Sequence, residues 1–438
     1  MTVGLNREIL RLAVPALGAL IAEPLFLTVD SIMVGRLGVD ELAGLGIASS
    51  VLQTIVGLMV FLAYSTTPAV ARLYGSGDTS AAVSRGIDGM WLALGMGAIL
   101  AVAGSFLSPW AVSLFGPSPE VAEQADAYLS LSMWGIPAML VAFAATGLLR
   151  GLQDTVAPLW IAGAGFALNA VLNALLIYGL GWGIAGSAAG TVAAQWAMVA
   201  AYAAIVARLA RRHGADASPS RAGVRGTAAT GGWLFLRTVA LRIGLLVTVA
   251  AATTLGTDEL AGWQVVYTIA TFAAFAMDAL AIAAQALIGK QLGAGDVDGV
   301  RGVLRRTLAW GTAFGAILAV LIAALSPVIG LAFTGSWRMS WLILPALVLM
   351  GAAQPLAGAV YVLDGVLMGA NDSRYLALAG LVNLAPFLAA VLVVLMARPH
   401  GSWGLFWVAA CFYVVLMGMR WLTLSRRVRG ERWLQAGA

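Results

Sequence analysis

Cysteine, histidine and lysine are almost missing from this chain. Its 438 residues include one cysteine and two histidines, and Lys290 is the only lysine. A single thiol, Cys411, excludes an internal disulfide, and so few soft ligands exclude a zinc cluster. His213 and His400 fall in expected loops without a partner motif, so neither is given a role. No glycine-rich turn is followed by Lys-Ser or Lys-Thr, which excludes a phosphate-binding loop and argues against an ATP-driven pump in this chain. Charge is scarce as a whole. Only 10% of residues are charged, against about 25% in a soluble domain. Such a composition cannot build a surface that mostly faces water.

What is abundant is apolar length. Hydrophobic residues make up 61% of the chain, and the mean hydropathy is +0.92. A spanning helix needs roughly 20 mainly apolar residues. Segments of that kind fall at about 8–35, 42–73, 84–114, 121–147, 156–179 and 184–208. Six more fall at about 230–255, 260–291, 303–332, 338–368, 374–397 and 402–424. A barrel would show short alternating segments instead. The expected fold is an all-α integral membrane protein of twelve transmembrane helices. Its 52 glycines suit helices that pack closely in lipid. The N-terminus has Arg7 and Arg11 and then a long apolar span with no small-residue cleavage site after a short hydrophobic core, so it reads as a spanning helix and not a removed leader.

The net charge of +5 reads as an orientation signal, with no nucleic acid as partner. One side collects Arg7, Arg11, Arg72, Arg85, Arg150, Arg301, Arg305, Arg306, Arg374 and Arg420, with more in the linker and the tail. The other side has only Arg36, Arg338 and Arg398. Basic residues mark cytoplasmic loops, so both termini and the linker are expected in the cytoplasm. The longest polar stretch, "RLARRHGADASPSRAGVRG", divides the chain. The expected partition is a lobe over 1–213, a linker over 214–228 and a lobe over 229–438.

The two halves repeat. "DELAG" starts at Asp40 and again at Asp258, "YGSGD" at Tyr74 and "LGAGD" at Leu292, "GLLRGLQDT" at Gly147 and "GVLMGANDS" at Gly365. One offset, 218 residues, relates all three pairs. Two six-helix bundles of the same orientation, related by a pseudo-twofold axis along the membrane normal, follow from this, and such repeats are a transporter signature. The acids of the repeated turns have a local explanation as helix N-caps: Asp78 and Asp296, and in the same way Asp154 and Asp372.

Ionisable residues inside apolar segments are costly and are functional by default. "AEPLFLTVDSIMVGRLG" places Glu23 and Asp30 seven residues apart, on one helix face, with Pro24 as a helix-kinking hinge. Asn169 and Asn173 share a face of the fifth segment, and Thr191 and Gln195 share one of the sixth. These four serve either a site or interhelical hydrogen bonding. The offset pairs Asp30 with Thr248, Glu23 with Leu241 and Pro24 with Arg242, so the carboxylate site is not duplicated. The second half carries Arg237, Arg242, Asp278 and Asp364 instead, and a pair of Arg242 with Asp278 or Asp364 would account for those charges.

"AEPLFLTVDSIMVGRLG", "LAGLGIASS", "GLLRGLQDT", "LNAVLNALLIYGLGWGIAGSAAGT", "AIAAQALIGKQLGAGD" and "LDGVLMGANDSRY" together resemble the multidrug and toxic compound extrusion (MATE) family, and within it the DinF-like branch. The resemblance runs over nearly the whole chain. It implies two lobes that open alternately outward and inward, no enzymatic activity and no cofactor. It implies export of small amphipathic, often cationic, drug-like compounds from a bacterial cytoplasmic membrane against influx of protons or sodium, by a monomer in the lipid bilayer. By the same resemblance Asp30 is the coupling carboxylate, Asn169 and Asn173 are its neighbours on the fifth helix, and Thr191 adjoins them. Some family members carry an acid near those asparagines, and this chain has none there. Other branches use a seventh-helix Glu with a tenth-helix Asp for sodium. Asp364 fits the latter, but the seventh helix here offers Arg237 and Arg242, which favours protons. Glu23, Gln195, Asp278 and Asp364 are further candidates for substrate or coupling roles. A flippase for lipids or lipid-linked precursors, from the same broad superfamily, is the alternative, and the arginines of the seventh helix are its support. A channel or receptor is disfavoured by the repeat and by the unduplicated carboxylate.

Overall fold

Apolar runs this long must satisfy every backbone polar group internally, which in lipid means helix. The computed structural model describes residues 2–435, without the side chains of Thr2, Val3 and Glu23, and its described residues form helices and turns with no strand. Six helices precede the linker: α1 (Thr2–Gly35), α2 (Val39–Gly75), α3 (Thr79–Ser113), α4 (Pro119–Gly151), α5 (Val156–Gly179) and α6 (Gly183–His213). The following five runs are α7 (Arg221–Leu255), α8 (Thr257–Gly293), α9 (Val297–Thr334), α10 and α11 (Ser373–Ala397), and α12 (Gly401–Arg429) closes the series. Of these, α10 is a bent pair, Trp337–Ala352 and Gln354–Gly369, angled by 50°. Pro355 starts its second arm, where a residue without an N–H costs no hydrogen bond. Counting the pair as one gives twelve spans, as expected from the apolar runs. Large apolar side chains such as Phe106 and Met396 lie exposed on the outside, the surface a bilayer covers.

The chain forms two units. One is Val14–Gly231; the other takes the chain up to Ala13 and again from Gly232 on. The expected cuts at 213 and 229 fall elsewhere for identifiable reasons. The start of α1 is tied within the second unit, where Arg306 Nε donates to Asn6 Oδ1 at 2.5 Å and Lys290 lies 3.7 Å from Glu8. The linker is shorter than its composition suggests, because α7 already begins at Arg221. Its non-helical residues are fastened to α3. Ser80 Oγ donates to the Gly214 carbonyl, Trp91 Nε1 donates to the Ala217 carbonyl at 3.0 Å, and buried Asp88 accepts from Ser220 N and Oγ at 2.7 and 2.9 Å. Ser220 in turn accepts from the Gly223 N–H at the start of α7. Two hydrogen bonds from Ser218 hold the exposed Asp216 carboxyl below the usual carboxylate range.

The repeat is visible in the details. Gly77 and Gly295 adopt φ of 88° and 71°, a turn only glycine enters freely. Asp78 and Asp296 then cap α3 and α9, each accepting a backbone N–H at 2.8 Å. Asp154 accepts from the Val156 and Ala157 N–H groups at 3.0 Å. Asp372 departs from the expected cap. Its carboxylate takes Arg427 Nε at 2.6 Å, an ion pair stronger than a neutral cap bond, and leaves the start of α11 uncapped by a side chain.

Candidate functional site

The Val14–Gly231 unit gathers its polar side chains around Asp30. Helix α1 runs unbroken through Pro15 and Pro24, and Thr28 Oγ1 donates to the Pro24 carbonyl at 2.9 Å. Phe26 stacks on Phe166 of α5 at 4.9 Å, and Tyr178 OH donates to the Met33 carbonyl at 2.6 Å. These contacts fix α1 against α5 on either side of Asp30. Helices α5 and α6 approach closely because α6 is built of small residues. A Cβ on Gly190 would lie 2.1 Å from Asn173 Oδ1, and one on Gly186 would lie 2.9 Å from the Leu176 backbone. That approach sets Asn173 and Ser187, both fully buried, side by side.

Asp30 is 4% exposed. Its Oδ1 accepts from Asn173 Nδ2 at 2.7 Å and from Ser187 Oγ at 2.6 Å. Its Oδ2 accepts from Tyr128 OH at 3.3 Å. All three donors are neutral, and among the described contacts no arginine or lysine pairs with the carboxylate. Burial opposes the charge while the donors support it. Asn169 Nδ2 donates to Thr191 Oγ1 at 2.9 Å, and Tyr128 OH has the Thr191 and Ser132 hydroxyls as neighbours. Asn169 and Thr191 do not touch Asp30; the pair lies beyond Tyr128. Directly beyond Asn173, α5 ends in a π-helical turn, Leu175–Gly179, a form frequent at functional sites.

The other candidates are dispersed. Gln195 is turned to Gly135, whose Cβ would lie 1.9 Å from its Oε1, and that oxygen has no hydrogen-bond partner. The side chain of Glu23 lies outside the described residues. In the second unit Asp364 is paired with Arg237 and, at 2.8 Å, with Arg420. The expected Arg242 pair with Asp364 is not formed; Arg242 is exposed, and Arg420 of α12 takes its place. Asp278 is half-buried on α8 and close enough to Tyr361 to interact with it electrostatically.

Tyr128 and Ser187 are not among the residues that the sequence singles out. Neither is charged, and each sits in a segment that explains it as an interfacial tyrosine or a small packing residue. The 218-residue offset holds the signal. It pairs Tyr128, Asn169, Asn173, Ser187 and Thr191 with Ala346, Phe387, Val391, Leu405 and Ala409, all apolar and buried. Gly183 and Gly401, both at positive φ, hold that register through the last stretch. At Thr248, the counterpart of Asp30, a buried hydroxyl donates to its own helix, at the Leu245 carbonyl.

The MatE family model matches residues 15–175 and again 235–394, one match in each half. Protein DETOXIFICATION 44, chloroplastic, of Arabidopsis thaliana is 32% identical over 433 residues, 94% of this chain and 80% of that protein. DNA damage-inducible protein F of Escherichia coli is 26% identical, over 98% of this chain and 94% of that protein. Among solved structures, the Vibrio cholerae MATE transporter VcmN in the bent form superposes with a TM-score of 0.89 at 21% identity, covering 99% of both chains. A MOP superfamily transporter from Pyrococcus furiosus gives 0.86 at 20% identity, covering 98% of this chain and 97% of that one. At these identities the two structures speak for the fold. The sequence matches speak for descent: the chain belongs to the MatE family, the multidrug and toxic compound extrusion transporters.

Proposed function

We propose that the chain is a secondary active antiporter that exports small amphipathic, often cationic, compounds by alternating access, with protons moving the opposite way. It would work as a monomer in a bacterial cytoplasmic membrane, with both termini and the linker on the cytoplasmic side. The observation that carries this reading is a buried carboxylate, Asp30, held by three neutral donors and, among the described residues, by no cation. An acid that must be charged in one state and neutral in another needs such a balance, since a fixed arginine would lock it ionised. Deprotonated Asp30 keeps its contacts to Tyr128, Asn173 and Ser187. Proton uptake weakens them, lets α1 shift near Pro24 and releases the substrate. Sodium would need oxygen ligands, for which the Ser187 hydroxyl and the buried, unpartnered Asn173 Oδ1 are at hand, so the choice of proton rests on the seventh helix, which offers Arg237 and Arg242 where other branches use a Glu.

Reconstituted transport tests this, with a pH gradient and a sodium gradient imposed separately. The pH gradient alone is expected to drive export, and Asp30→Asn is expected to abolish that drive. Full proton-driven export by the variant would overturn the assignment. The flippase reading leans on Arg237 and Arg242: the Arg237 guanidinium is engaged by Asp364 while Arg242 is exposed, and binding of an anionic lipid headgroup that is lost in an Arg242 variant would favour it.

A further inference from the structure

The two oxygens of Asp30 are not equivalent. Oδ1 accepts two hydrogen bonds shorter than 2.8 Å, from Asn173 and Ser187, whereas Oδ2 accepts one of 3.3 Å from Tyr128. Charge-assisted hydrogen bonds of the first kind are the strong ones. A proton arriving at Oδ1 would have to displace a donor from a packed, fully buried pair. At Oδ2 it meets a hydroxyl that can either donate or accept. Tyr128 has somewhere to turn its own hydrogen, because the Thr191 and Ser132 hydroxyls neighbour it: Thr191 Oγ1 has capacity beyond the bond from Asn169, and buried Ser132 Oγ has no hydrogen-bond partner. The groups around Asp30 are Tyr128 from α4, Asn173 from α5 and Ser187 from α6. Of these only Tyr128 is itself titratable, and none is charged.

We propose that Asp30 is loaded with its proton on Oδ2, that Tyr128 then reverses from donor to acceptor and turns its hydrogen to a neighbouring hydroxyl, Thr191 or Ser132, and that Ser187 is the positioning residue which reserves Oδ1 for the carbonyl of the protonated acid. The inference rests on Asp30 as the coupling carboxylate. Loading forms one O–H bond, at Oδ2, and breaks one in the hydronium or water that delivers the proton; Tyr128 and its neighbouring hydroxyl keep their own O–H bonds and only rotate. Ser187 sets the pH at which the site loads, since its hydroxyl supports only the ionised form strongly.

Infrared difference spectra of the full-length protein in lipid, recorded as pH is lowered, test this without relying on transport. The carbonyl stretch of protonated Asp30 is identified by its loss in Asp30→Asn. Because the carbonyl oxygen is Oδ1, Ser187→Ala is expected to move that band to higher frequency. It is also expected to raise the pH of half-loading by about one to two units, the worth of one lost bond to a charged acceptor. Ser187→Cys keeps the size with a weaker donor and is expected to fall between, an order that a purely structural role for Ser187 would not produce. Tyr128→Phe is expected to leave the carbonyl frequency in place. A band that moves in Tyr128→Phe and stays in Ser187→Ala would overturn the assignment of the oxygens while leaving Asp30 as the coupling acid. Loss of the coupling role would instead appear as intact proton-driven export in Asp30→Asn.

Discussion

A single carboxylate in the second unit faces two guanidinium groups. Asp364 is 3% exposed and pairs with Arg237 and Arg420, while Thr146 and Tyr202, the repeat equivalents of Asp364 and Arg420, share a neutral hydrogen bond of 3.0 Å. One pair of positions therefore holds helices together in two ways. The charged version has more to lose. Asp364→Asn removes the charge that buried Arg420 and half-buried Arg237 share and is expected to cost about 3–5 kcal/mol. Thr146→Val removes one neutral bond and is expected to cost about 1 kcal/mol. Thermal unfolding of the two purified variants in one detergent checks the difference. Equal losses would mean that the arginines find other partners. The same two positions show what is legible at this scale. Charges in apolar segments announce themselves, so Asp30 and Asp364 stand out from the sequence. Their partners do not: Arg420 reads as an orientation signal near a helix end, and Ser187 as one small residue in "GSAAGT". Asn169 and Asn173 share a face, yet only Asn173 reaches Asp30, because one turn along α5 is about 6 Å and a hydrogen bond spans half of that.

Helices pair through backbone contacts that the repeat conserves between its two copies. A Cβ on Gly97 would lie 2.4 Å from Pro137 Cα, and one on Gly315, its counterpart, 2.3 Å from the Gln354 carbonyl oxygen, beside Pro355. A Cβ on Gly147 or Gly365 would fall 2.8 or 2.3 Å from the carbonyl of Ala63 or Ala281. These obstacles are backbone atoms, which cannot step aside as a flexible side chain does. Gly315→Ala is expected to destabilise the protein by about 1–3 kcal/mol through overpacking, whereas Gly302→Ala, with nothing within 4 Å of the added carbon, is expected to be neutral or slightly stabilising. Unfolding midpoints of the two variants decide it, and a tolerated Gly315→Ala would show that α9 and α10 can slide apart. Which glycines are of this kind is not readable from composition, since all of them suit close packing. Spans and turns are readable, because apolar length and Gly-Asp turns are local signals. The uncapped Asp372 is not, because its arginine comes from a helix more than fifty residues later.

Orientation and unit boundaries belong to the whole chain. The sides proposed from arginine placement can be read most directly on the linker, the segment that carries Ser218. Ser218 is exposed, in a non-helical stretch whose hydrogen bonds to α3 are made at Gly214, Ala217 and Ser220. Cys411, the one native thiol, is buried at 4% exposure inside α12, so the native chain should give little background with a thiol reagent. A Ser218→Cys variant is therefore expected to react with a membrane-impermeant maleimide in inside-out vesicles and to stay unlabelled in sealed cells. Labelling of sealed cells would invert the orientation, and with it the direction of export, because the same arginine bias places the termini and the linker on one side. The composition of the linker marks where the halves meet but not how far helix extends into it. Ser220 caps α7 while holding Asp88, so the helix starts well before its first apolar run. A local cap and a distant acceptor on α3 act through the same serine. For that reason Ser220→Ala is expected to fray the start of α7 and loosen the strap together, so that hydrogen exchange rises at 214–225 while the apolar core of α7 remains protected.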